Sequence, residues 1–243
     1  YTETFDSGFS TDYWNISHDL EDRVEVANGA LNFIFAGADE EDIDGDGNLN
    51  GEYDDYEIDL HYSRALPMDE NWQIVMDDVY ASNSLEGVEF ELELEFEGQG
   101  YNFQCGFEFE SSYLVEDSGS IIDVSFYSTT PSFNINGLAS VSTVEDSRIQ
   151  SNVSLRITHN ADSRELVFEY QPDGVNEWSE LARLNLGSGD FSGLNSLPDQ
   201  GYGELIGTSQ RMELYLEVEA EETTQVGDLK IGGIEISSYT PPL

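Results

Sequence analysis

Six residues in one short loop could do chemistry by their types and spacing alone. Asp42, Asp44 and Asp46 occupy positions 1, 3 and 5 of a D-x-D-x-D-G pattern, with Gly47 sixth. Side-chain oxygens two residues apart can wrap one hard cation, and the glycine permits the sharp turn that such a wrap requires. Asn48 would add its backbone carbonyl and Asn50 a side chain or a bridging water. At position 12, where this pattern calls for a bidentate glutamate, the chain has Tyr53, so Asp54 or Glu52 would close the shell. The expected ion is Ca2+, held by Asp42, Asp44, Asp46, Asn48, Asn50 and Asp54.

The segments flanking the loop read as strands. Upstream, Val24 and Val26 alternate, Asn28-Gly29 makes a tight turn, and Leu31, Phe33 and Phe35 resume. Downstream, Tyr56, Ile58, Leu60 and Tyr62 share one face. It is thus an EF-hand-like loop in a β context. The strongest alternation lies further on, where Val88, Phe90, Leu92, Leu94 and Phe96 interleave with Glu89, Glu91, Glu93, Glu95 and Glu97. After Gly98-Gln99-Gly100 it continues through Tyr101, Phe103, Cys105, Phe107 and Phe109. A period of two gives each strand one apolar and one wet face, so this hairpin needs an opposing layer. A second hairpin is expected to turn at Pro172-Asp173-Gly174, and Gly232-Gly233 suggests a bulge near the end. No segment keeps a 3.6-residue period. The expected fold is all-β, a two-sheet antiparallel sandwich or jelly roll forming a single domain.

Charge narrows the function classes. With 51 acidic and 8 basic residues the 243-residue chain carries a formal charge of −43. That excludes a nucleic-acid partner and an anionic membrane surface. No apolar run is long enough to span a bilayer, so no membrane insertion is expected. Such acidity suits saline surroundings, where screening shortens self-repulsion. A lone Cys105 on the inward side of its strand reads as a small buried hydrophobe.

Phe5, Asp6, Gly8, Phe9 and Trp14, followed by Val26, Asn28, Gly29, Leu31 and Phe33, form an F-D-x-G-F…W and V-x-N-G-x-L-x-F series. This series resembles the concanavalin A-like lectin and glucanase superfamily. The later hairpin from Ser154 to Gly174 and the closing DLKIGGIEI are similar to the same group. The resemblance implies a concanavalin A-like β-sandwich over residues 1–237, with 238–243 as a tail or the start of a linker. It also implies a secreted or cell-surface protein, expected to be bacterial. In laminarinase-like members an E-x-D-x-x-E strand supplies nucleophile, helper aspartate and acid/base. Those roles would fall on Glu52, Asp54 and Glu57, and a retaining mechanism needs such a carboxyl pair. In a chain this acidic the pattern arises readily by chance, and the tryptophans that surround it in that family are missing.

The superfamily also holds non-catalytic binding modules. A sugar platform needs flat aromatics beside amides, which makes Trp178 and Tyr53, with Asn102 and Gln104, the candidate ligand-binding residues. Tyr202 is a further aromatic, while Trp14 and Trp72 read as core residues. The expected role is therefore non-catalytic carbohydrate binding or adhesion, with a polysaccharide or cell-surface glycan as partner. A glycoside hydrolase and a structural spacer of a large surface protein are the alternatives. Fold alone does not choose among them.

Overall fold

The computed structural model describes residues 2–3, 12–17, 24–36, 56–64, 66–67, 69–81, 88–98, 101–111, 121–128, 137–145, 152–185, 211–220, 226–238 and 240. Among them every regular element is a strand, in two antiparallel sheets of nine and seven strands. The two-sheet antiparallel sandwich expected from the alternation is the fold observed.

The larger sheet begins at one edge with β13 (Ser179–Asn185), β12 (Glu165–Pro172) and β11 (Val153–Asn160). Next comes β6 (Trp72–Ala81), which pairs on its far side with β15 (Val226–Ile231) and β16 (Gly233–Ser238). The sheet ends with β4 (Ala30–Ala36) and β3 (Val24–Ala27) beside β15, and with the short β1 (Thr2–Glu3) beside β16. The smaller sheet runs in the order β10 (Gly137–Glu145), β9 (Ile121–Ser128), β8 (Tyr101–Ser111), β7 (Val88–Gly98), β14 (Arg211–Ala220), β5 (Tyr56–Tyr62) and β2 (Trp14–Ser17).

Local turn chemistry sets the hairpins. Asn28 and Gly29 both have positive φ (56° and 71°), the type I′ geometry whose twist matches its strands, and Ala27 pairs with Ala30. Gly98 pairs with Tyr101, so the central hairpin closes through a two-residue connection. At the β12–β13 turn the Val175 N–H donates to Pro172 O at 3.1 Å, and Gly174 takes φ 73°. Glycine is suited to that third position of a type II turn.

The core lies between the sheets. Leu31 and Phe33 of β4, Ile157 of β11 and Phe168 of β12 face Leu60, Phe107, Leu214 and Leu216 of the other layer, all buried. Phe107 meets Phe168 edge-on across the layers at 5.3 Å between ring centroids. Trp14, Trp72 and Cys105 are buried, as the alternation predicts. Alternation could not show which sheet a strand joins. The run at Trp72–Ala81, which by sequence continues the sheet of Tyr56–Tyr62 after a loop containing Pro67, forms β6 in the other sheet from β5.

Candidate functional site

The alternation of β6 contains a slip. Trp72, Ile74 and Met76 point inward and are buried, but the next inward residue is Val79, not position 78. The extra residue is a bulge. On β11, Val153 and Leu155 are two apart, while their β6 partners Val79 and Met76 are three apart. Asp78 absorbs the bulge in the left-handed region at φ 51°, which aspartate tolerates better than most residues. Across from it, the Gly232 N–H donates to Asp77 O at 2.9 Å. A Cβ on Gly232 would stand 2.9 Å from the Asp78 Cβ, so only glycine fits without a shift. The bulge expected at Gly232-Gly233 is not found there: from Lys230↔Tyr80 to Gly233↔Asp77 the two strands advance equally, and the extra residue lies on β6 against β11.

Two adjoining hollows open at this bulge. One, of about 300 Å3, is walled by Asp78, Asn152, Ser154, Gln171, Asp173 and Asn176. The other, of about 350 Å3, lies between Asp78, Tyr80, Lys230, Gly232 and the Asn28–Gly29 turn, again with Asn152. Asp78 and Asn152 border both. The Asp173 N–H donates to Asn152 O at 2.9 Å, which ties the β12–β13 turn to the start of β11. The Lys230 ammonium is paired with Asp228. Carboxylates here only accept hydrogen bonds, whereas the amides of Asn152, Gln171 and Asn176 both donate and accept. The carboxyl of Asp77 is pushed above its ordinary range by loss of solvation. A Ser154 hydrogen bond opposes this, and the charges of Asp78 and Glu235 add to it.

Beyond Ser154, on the same face of β11, Arg156 bonds Glu169 at 2.7 Å. Its guanidinium lies 4.2 Å from the centre of the Trp178 ring. Trp178 is half-buried, and one of its faces is taken by this arginine. On the smaller sheet, His61 stacks on Tyr215 at 4.5 Å, with Nε2 3.2 Å from Glu213 Oε2.

Neither a protein-family model nor a curated protein matches the sequence. Solved structures do match in shape. A legume lectin-like domain from Entamoeba histolytica aligns with 94% of this chain and 91% of its own, at TM-score 0.54 and 9% identity. An endo-1,3-beta-glucanase from Streptomyces sioyaensis aligns over 99% and 96%, at 0.56 and 10%. The exoplasmic/lumenal domain of VIP36, in a Ca2+/Man3GlcNAc-bound form, aligns over 96% and 87%, at 0.52 and 7%. The fold is a concanavalin A-like sandwich. A GH43 glycoside hydrolase also matches at TM-score 0.51 and 13% identity, but there the chain spans only 41% of the other protein's length.

Of the candidate site residues singled out by sequence, Glu57, Asn102, Gln104 and Trp178 lie among the described residues. Asp42, Asp44, Asp46, Asn48, Asn50, Glu52, Tyr53, Asp54 and Tyr202 lie outside the described residues. The loop carrying the first eight joins the end of β4 in the larger sheet to the start of β5 in the smaller. Glu57 lies on β5, in register with Glu219 of β14. Asn102 and Gln104 lie on β8 of the smaller sheet, opposite Glu97 and Glu95. Trp178 belongs with the larger sheet, so the structure does not bring it together with those two amides. Asp78 was missed, although the slip from Trp72, Ile74, Met76 to Val79 is a signal in the sequence itself.

Proposed function

We propose that this chain is an exported, calcium-binding sandwich module that binds a neutral carbohydrate without cleaving it. The observation that carries this reading is the pair of hollows that share Asp78 and Asn152, the one beside Gln171 being lined mainly by polar groups. Their amides and carboxylates suit a ligand made of hydroxyl groups, which donate to the acids and exchange both roles with the amides. Anionic glycans are disfavoured by Asp78, Asp173 and a formal charge of −43. The likeness in fold to the VIP36 exoplasmic/lumenal domain, in a Ca2+/Man3GlcNAc-bound form, is in keeping with this reading. Calcium is assigned to the loop from Asp42 to Asp54, where it would tie together the crossover between the sheets. Arg156, which holds Trp178, follows the groove residue Ser154 by two positions on β11, so the pair would border a longer ligand.

The test is native affinity electrophoresis in high salt, through gels containing laminarin, arabinoxylan or galactomannan, with alginate as the anionic control. Retardation by at least one neutral polymer and none by alginate is expected. Free migration through all the neutral gels would sink the binding reading and leave the structural spacer. A hydrolytic reading has one observation in its favour. Glu57 and Glu219 are directly paired residues on adjacent strands, with Cα atoms about 4.5–5.5 Å apart by strand geometry. Reducing-end release from a retarding polymer would select that alternative.

A further inference from the structure

We propose that Asp78 is the common anchor of a two-subsite groove, which takes an interior stretch of a neutral polysaccharide with one sugar unit in each hollow. The proposal rests on the carbohydrate reading above and adds where the chain lies, how long it must be and which carboxylate reads it.

The shape argues for a chain and not a single sugar. The hollows, about 300 and 350 Å3, each fall at the small end of ligand sites and share one wall. Their linings run across the sheet from Gln171 on β12, through Ser154 on β11 and Asp78 on β6, to Lys230 on β15 and Ala30 on β4. Four strand spacings make this path about 19 Å long, more than one sugar ring. It ends at surface turns on both sides, Asp173–Gly174 and Asn28–Gly29. Among the described residues the sheet continues past these ends with β13 and β3, and a polymer continuing outward would pass over them.

Asp78 is suited to the junction. It borders both hollows, and a carboxylate with two oxygens can accept from hydroxyls on two neighbouring units. Its position is fixed by the backbone: the bulge sets its left-handed φ, and Gly232 packs against it too closely to allow a Cβ. An anchor held this way loses little freedom on binding. A backbone outlier at the junction of two hollows is also the kind of strain that structures retain for function.

The experiment uses the neutral polymer that retards the intact protein, together with its mono-, di-, tri- and tetrasaccharides, in titration calorimetry. The variants are Asp78→Gly, which removes the carboxylate but accepts the positive φ, and Asn152→Ala. Thermal melts establish that both remain folded. Wild-type affinity should rise about tenfold or more from the monosaccharide to the disaccharide, which fills both hollows, and each variant should lose about tenfold or more on the polymer. If no neutral polymer binds the wild type, the carbohydrate reading fails and takes this proposal with it. If the polymer binds and both folded variants bind equally well, the carbohydrate reading stands and the groove assignment is overturned. Equal affinity for monosaccharide and tetrasaccharide would overturn the interior-stretch geometry alone.

Discussion

His159 shows how much one side chain depends on its surroundings. It is fully buried, stacks on Trp72 at 5.0 Å, and donates from Nδ1 to the Glu70 carbonyl at 2.9 Å. Burial holds its pKa below the ordinary 6.5, opposed by the Glu70 hydrogen bond. A depressed value means that below about pH 6.5 the unfolded chain gains a proton that the folded chain refuses. The stabilisation is therefore complete above that pH and is lost progressively as pH falls toward the folded value. In His159→Gln this dependence is absent, so the gap in Tm between wild type and variant should narrow from about pH 7.5 to about pH 5. Acid neutralisation elsewhere affects both proteins alike and cancels. A gap constant with pH would show that the imidazole stays accessible to protons. Glu57 provides a second residue-scale prediction. Because it is opposed by Glu219, Glu57→Gln should raise stability by about 0.2–1 kcal/mol and leave polysaccharide retention unchanged. Loss of a measured hydrolysis on this substitution would instead move the site to the smaller sheet.

The described elements place the groove and the start of the crossover at opposite ends of β4. Ala30 and the Asn28–Gly29 turn border the groove, while Ala36, at the other end of β4, begins the loop toward Asp42. Six residues of extended strand put that exit about 20 Å from the groove. Calcium is therefore expected to act on the sandwich and not on the ligand. Chelation should lower Tm by several degrees, since an acidic crossover would lose its counter-charge. Affinity for the neutral polymer, measured well below the melt, should change less than about twofold. Equal melts with and without chelator would remove calcium from the account. A large loss of affinity would mean that the crossover reaches the groove. Part of this was legible beforehand. The Asn28–Gly29 and Asp173–Gly174 turns follow from residues that accept positive φ. Sequence distance gave no hint that these turns stand at opposite ends of one groove.

For the whole molecule the decisive quantity is charge. The register places Glu57, Glu219, Glu89 and Glu110 side by side on four neighbouring strands of the smaller sheet. Asp59, Glu217, Glu91, Glu108 and Asp123 do the same on five. Directly opposed like charges cost about 0.2–1 kcal/mol per pair. Raising NaCl from about 0.1 M to about 1 M shortens the screening length from about 10 Å to about 3 Å. Tm should then climb by roughly 5 °C or more, and by less in a Glu91→Gln, Glu217→Gln double variant. A flat salt profile in the wild type would mean that these rows do not repel. The sequence by itself determined most of the strands, though not β10, with their inward faces, the tight turns and the acidity, because period-two alternation and turn residues act over a few neighbours. Tertiary structure alone decided that β5 and β6 part into different sheets and that β14 lies between β5 and β7, completing the acidic rows. It also decided that Asp78, Asn152 and Gly232 meet. These are pairings between distant segments, and any strand with one apolar face can satisfy its own pattern beside many different neighbours.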